Sequence, residues 1–352
     1  MSMNQIRCFR PMELTEAEFE LFENLSRRRF LIGAGALGLG VITGCGSQEE
    51  AAAPTATEVS SGYPRTVKHK AGETIFTSRP ERVISEGNFV EFDNLLALGI
   101  PIIARGSGQF DINDPLADLL PWQRATGGEQ VPLNQAVYGF EANLEELVRL
   151  KPDVYFIWDT NFSSVDDEGF KRRNEIVPVI PVPAGIDGLR VVADVFATPT
   201  ERVEAIIGEA HAKMTAFKPA RVPTSITAFF YFDDGNFYLV SAQNDINEMV
   251  LKPLGLPTFR PQGDAAYPPI TTISTELATE LDADLVLGLF DQNFGPALEA
   301  LEQQPLFQAI PAVKAGRYHR LSLEMTYALL RPTVLNVDTL LAGLTEVLGA
   351  SR

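Results

Sequence analysis

The chain has 352 residues, 46 acidic and 29 basic side chains, and a formal net charge of −17. That balance argues against a nucleic-acid partner, because phosphate recognition needs clustered Lys and Arg. Two cysteines, Cys8 and Cys45, and three scattered histidines, His69, His211 and His319, leave no disulfide framework and no histidine-built metal site.

Near the N-terminus, Ser26-Arg27-Arg28-Arg29-Phe30-Leu31 resembles a twin-arginine export signal, and Ile42-Thr43-Gly44-Cys45 resembles a bacterial lipobox with Cys45 as the lipidated residue. The uncharged run from Phe30 to Gly44 falls short of the roughly 20 residues a membrane-spanning helix needs. Gly33-Ala34-Gly35-Ala36-Leu37-Gly38 fits the letters of a dinucleotide-binding loop, but no strand precedes it. Residues 1–44 therefore read as a removable signal. Their five arginines and five glutamates cancel, so the mature part keeps the whole net charge. Residues 45–62, rich in Ala, Thr, Ser and Glu, read as a flexible tether. The expected location is the outer face of the cytoplasmic membrane, held by the lipid anchor.

From Tyr63 onward, short apolar runs alternate with helical patterns. Strands are expected at Arg82–Ser85, Ile100–Ala104, Asp153–Trp158 and Val177–Val182, and helices at Phe92–Leu98, stopped by Gly99, and Leu144–Leu150. A longer helix is predicted from Thr200 to Phe217, with Val203, Ile206, Ile207, Ala210 and Met214 as its stripe. A second alternation follows. Ser225–Phe232 and Phe237–Val240 are joined by a hairpin at Asp234-Gly235-Asn236. A helix is expected at Glu248–Leu254, strands at Asp284–Phe290 and Arg317–Leu321, and a last helix at Val334–Leu348. Such βα alternation with buried strands implies parallel-rich sheets covered by helices, an α/β fold.

The residues also resemble a family. Tyr63-Pro64-Arg65-Thr66-Val67, Pro80-Glu81-Arg82-Val83-Ile84, Leu95-Leu96-Ala97-Leu98-Gly99-Ile100, Leu150-Lys151-Pro152-Asp153, Leu281-Asp282-Ala283-Asp284-Leu285-Val286 and Pro305–Arg317 are similar to segments of class III solute-binding proteins of ABC importers. Those proteins carry ferric siderophores, haem and cobalamin. The resemblance implies two Rossmann-like lobes, residues 63–198 and 219–352, joined by a single long helix at 199–218. It implies no catalytic residue and no resident cofactor. The ligand would be a ferric siderophore-type complex in the interlobe cleft, with haem or cobalamin as alternatives. The partners would be an ABC permease and its ATPase, with the protein itself a monomer.

Relative to that family, Trp158, Phe162, Tyr267, Met325 and Tyr327 resemble cleft residues, the last four lying in expected loops. A tyrosine there offers an apolar face and a polar tip. Glu86 follows the first strand, Arg105 follows the second, and Arg331 precedes the final helix. Arginine binds carboxylate or catecholate oxygens bidentately. The arginine that hydroxamate binders place before the Leu-Lys-Pro-Asp segment has no clear counterpart, since Gly127-Gly128-Glu129 stands near there. Asp93 and Glu248 match the acidic residues that dock the family's two lobes onto permease arginines. Each is also explained as a carboxylate near a helix N-terminus.

Two other functions stay open on sequence. An exported enzyme would use the same signal, but no nucleophile elbow, metal cluster or phosphate loop is present in the mature chain. The run Asp166-Asp167-Glu168 reads as a solvated loop. A lipid-anchored binding protein that serves a sensor or another envelope partner has the same sequence features as an importer component.

Overall fold

The structure is a computed structural model and describes residues 62–87, 90–106, 119–132, 144–159, 164–241, 246–260, 270–290 and 295–349. A hairpin opens it, β1 Arg65–His69 against β2 Gly72–Phe76. The first lobe is built on four parallel strands in the order β4-β3-β5-β6. They are β3 Val83–Ser85, β4 Ala104–Arg105, β5 Val154–Trp158 and β6 Val179–Val182. Every residue in these strands is buried, as expected for a parallel sheet covered on both faces.

The helices of this lobe are α1 Val90–Ala97, α2 Pro121–Ala125, α3 Leu144–Leu150, α4 Glu168–Ile176 and α5 Gly185–Val195. Gly99, at φ 65°, ends the chain's run out of α1 as the sequence predicts. The leucine stripe of α1 understates its burial, because Glu91, Asp93 and Asn94 are buried as well. Two expectations fail locally. The second strand shortens to Ala104–Arg105. The acidic run at 166–168 starts a helix, because the Asp167 carboxylate accepts the Phe170 amide at 2.8 Å and caps α4.

Helix α6, Thr200–Ala216, leads into the second lobe. Val203 and Ile207 pack with Leu95, Phe156, Ile180, Leu189 and Val192 of the first lobe. Ala210 and Met214, one and two turns further on, pack with Ile226, Leu285, Leu287, Leu340 and Leu344 of the second. One helix thus contributes to both cores. The second sheet runs β10-β8-β7-β11-β12, with β9 beside the start of β7. Its strands are β7 Ile226–Tyr231, β8 Asn236–Val240, β9 Phe259–Arg260, β10 Ile270–Ser274, β11 Leu285–Gly288 and β12 Tyr318–Arg320. β7, β11 and β12 are parallel, while β8 and β10 are antiparallel additions. The predicted hairpin forms, with Asp233 at φ 63° and Gly235 at φ 80°.

Short helices α7 Gly295–Glu302, α8 Pro305–Gln308 and α9 Pro311–Lys314 precede β12. Helices α10 Leu323–Leu330 and α11 Val337–Leu348 close the chain. α10 occupies what the sequence read as a cleft loop, capped by the Ser322 hydroxyl, which accepts the Met325 amide. The last helix starts at Val337 and not at Val334, because Thr333–Asn336 form a turn held by the Asn336 side chain. The helix expected at 248–254 forms as a short, wide-wound π-helix over Asn247–Leu251. None of the helices among the described residues is long and apolar enough to cross a membrane.

Candidate functional site

The C-terminal end of β5 delivers Trp158 to the edge of the first lobe, and the end of α10 delivers Tyr327 and Arg331 from the second. The three meet. The Arg331 guanidinium carbon lies 4.5 Å from the Trp158 ring centroid and 4.4 Å from that of Tyr327. A cation held between two aromatic rings is oriented and partly desolvated while it keeps its charge. Arg331 is only half-buried. The arrangement therefore presents a positive, flat donor group flanked by aromatic surface, with a ring supplied by each lobe. An anionic, rigid ligand suits such a place.

A small pocket adjoins it, lined by Val90, Asp93, Leu120, Trp122, Gln123, Tyr327, Arg331 and Asn336. At its base is the Asp93 carboxylate, 3% exposed. Trp122 donates its indole N–H to Oδ2 at 2.9 Å, Gln123 donates its amide to Oδ1 at 2.7 Å, and the Thr333 hydroxyl donates to Oδ2 at 2.8 Å. Burial pushes the Asp93 carboxyl up to about 6, against the opposing pull of these three donors. A second cavity lies wholly inside the apolar core of the second lobe, among Ile226, Leu251, Phe259, Leu287 and Leu344, with no polar group to orient a ligand.

Of the residues singled out from sequence, Trp158, Tyr327 and Arg331 come together. Phe162, Tyr267 and Cys45 lie outside the described residues. Met325 is 5% exposed and packs in the second lobe's core, turned away from the cleft by its place on α10. Glu86 and Arg105 are not at an open cleft mouth. Glu86 is 3% exposed and its charge lies near Tyr155, while Arg105 is fully buried with its guanidinium over the Phe92 ring at 5.6 Å. Asp93 is a clear correction. A docking carboxylate must reach a partner's surface, and this one is enclosed with three donors satisfied inside the chain. Glu248 is exposed, on the second lobe, and ion-paired with Lys252.

Sequence reasoning gave Trp122 no role in the site and missed Gln123, Thr333 and Asn336. Thr333 stands 240 positions from Asp93, and nothing in the local pattern of either segment links them. The available signal was weaker: Asn336 just ahead of a helical run, and Pro121 at the first turn of a short helix. Among the described residues no cluster of three or more His, Cys, Asp or Glu is placed to hold a metal ion.

The two α/β lobes thus share one helix, and an aromatic-flanked cation lies where they meet. Residues 132–322 match the family model described as periplasmic binding protein, and the chain belongs to that family, which binds substrates and does not convert them. Solved structures of the same fold include a periplasmic solute-binding protein from Mycobacterium smegmatis. It is 22% identical with a TM-score of 0.61, covering 81% of this chain and 98% of that one. PiaA of Streptococcus pneumoniae in complex with ferrichrome is 21% identical, TM-score 0.61, covering 81% and 97%. SirA of Staphylococcus aureus complexed with staphyloferrin B is 17% identical, TM-score 0.61, covering 82% and 99%. No curated protein sequence matched the chain.

Proposed function

We propose that this chain is an exported, lipid-anchored solute-binding protein that captures a ferric siderophore-type complex between its lobes and delivers it to an ABC permease. The observation that carries the reading is Arg331 held between Trp158 and Tyr327. Ferric complexes of carboxylate or catecholate ligands are rigid and anionic. They gain from aromatic contact and from a bidentate donor whose charge is independent of pH. The family supports an extracytoplasmic role, and ferrichrome and staphyloferrin B on two structural neighbours support the iron-complex class. The export motif at Ser26–Leu31 and the lipobox ending at Cys45 supply the anchor. Glu248, exposed on the second lobe, is the docking carboxylate that remains.

Native mass spectrometry of the protein with ferric hydroxamate, catecholate and citrate complexes, haem and corrinoids tests the ligand class. One ferric complex should be retained at a stoichiometry of one. Retention of haem or a corrinoid alone would replace the ligand, and retention of none would remove the reading.

A further inference from the structure

The stretch from Arg331 to Asn336, between α10 and α11 of the second lobe, reaches across to touch the first lobe. Asn336 staples it from within: its side-chain carbonyl accepts the Thr333 amide at 3.0 Å, and its amide donates to the Arg331 carbonyl at 2.9 Å. Two bonds tie this elbow to the first lobe. The Gly185 amide at the start of α5 donates to the Pro332 carbonyl at 3.0 Å. The Thr333 hydroxyl donates to Asp93 on α1 at 2.8 Å. The elbow also carries Arg331, so whatever fixes the elbow fixes the cation of the cleft.

Asp93 is an unusual fastener. All three polar contacts are donors, and among the described residues no Lys or Arg forms an ion pair with it. On its own helix, Glu91 is turned to the Gly87 amide. Arg124, beyond Gln123 on α2, is committed to the Leu119 carbonyl and to Glu129. Tyr327 and Arg331 line the same pocket, and Arg331 faces its two rings. On α5, Asp187 pairs with Arg190, and on α11, Asp338 pairs with Lys213 at the surface. The carboxylate is therefore sequestered with hydrogen bonds alone to offset the loss of water. Separation of the elbow from α1 would return water to it.

We propose that Asp93 is a proton-linked joint between the lobes: with a proton bound it keeps the Arg331 elbow seated on the first lobe, and when ionised it favours release of that elbow. The sign follows from linkage. The enclosed carboxyl titrates near 6, while a hydrated one titrates near 3.9, so the seated state binds the proton more tightly and gains as pH falls between them. Protonation is also sterically simple, because the Thr333 hydroxyl can turn from donor to acceptor toward a protonated Oδ2. The joint itself does not depend on the ligand reading; only its consequence, firmer presentation of Arg331 in mild acid, rests on that reading.

The test needs no ligand. Amide hydrogen exchange, corrected for intrinsic rates, should show Gly185 protected about tenfold more at pH 5 than at pH 7.5. In a Trp158→Phe background the fluorescence of Trp122, whose indole N–H rests on Asp93, should show one transition centred near pH 6. Asp93→Asn should abolish both pH dependences. Thr333→Val, a smaller disturbance that covers the case of an unfolded Asp93→Asn, should move the Trp122 midpoint to higher pH by removing a donor to the charged form. Gly185 protection that is flat or rises with pH, or a Trp122 transition unaltered in both variants, would overturn the proposal.

Discussion

At the residue scale, Arg331 does two things that a surface arginine does not. It bridges rings from both lobes while the residue as a whole stays only partly buried. The attraction of a guanidinium to an aromatic face is about 0.5–2 kcal/mol, and a double-mutant cycle separates it from packing. Tyr327→Leu combined with Arg331→Met should show a coupling of about 0.5–2 kcal/mol in urea unfolding, and Tyr327→Phe should leave that coupling in place. Zero coupling would make the contact incidental. The aromatic and cationic partners were legible as residue types, because Trp158 ends a buried strand and Arg331 stands ahead of a helix. The role of Asp93 was not. A carboxylate at the start of an amphipathic helix reads as solvent-facing, and only the approach of α2 and the elbow encloses it.

At the element scale, two glycines make opposite forecasts. Gly188 lies where α5 crosses α1 and the end of β6. A Cβ there would come within 2.0 Å of the Pro183 carbonyl oxygen and 2.7 Å of the Asn94 amide. The backbone oxygen cannot move aside, so Gly188→Ala should lower stability by about 1–3 kcal/mol. Gly208 sits inside α6 with open space around its Cβ position. Gly208→Ala should add about 0.5–1 kcal/mol, since glycine is the poorer helix former. Urea midpoints at unchanged slope would read both, and a loss of stability in Gly208→Ala would contradict the packing assigned to α6. That helix was legible in advance, because its stripe runs at helical spacing and Pro199 marks its start. Helix α10 was not, because Met325 and Tyr327 were read as loop residues, and the Ser322 cap becomes evident only once the turn is formed.

For the whole molecule, the alternation of apolar strands and helices was enough to give two parallel-rich lobes. The contacts that join the lobes were not legible, since they pair residues from opposite ends of the chain. The proposed delivery step would bring the molecule against a permease. If exposed Glu248 orients the second lobe on permease arginines, Glu248→Lys should bind ligand as wild type does, yet support uptake several-fold more slowly, with the deficit shrinking at high salt. Equal uptake rates would remove Glu248 from that role.

The central claim is capture of an anionic ferric complex at Arg331. An equilibrium titration of the intact protein with such a complex, followed by tryptophan fluorescence in wild type and Arg331→Ala, addresses it most directly. Wild type should show saturable binding with a change in Trp158 emission. Arg331→Ala should bind at least tenfold more weakly, as expected for loss of a charge-assisted contact of about 1.5–3 kcal/mol. Equal affinity in the two proteins, or no saturable binding in wild type, would contradict the account.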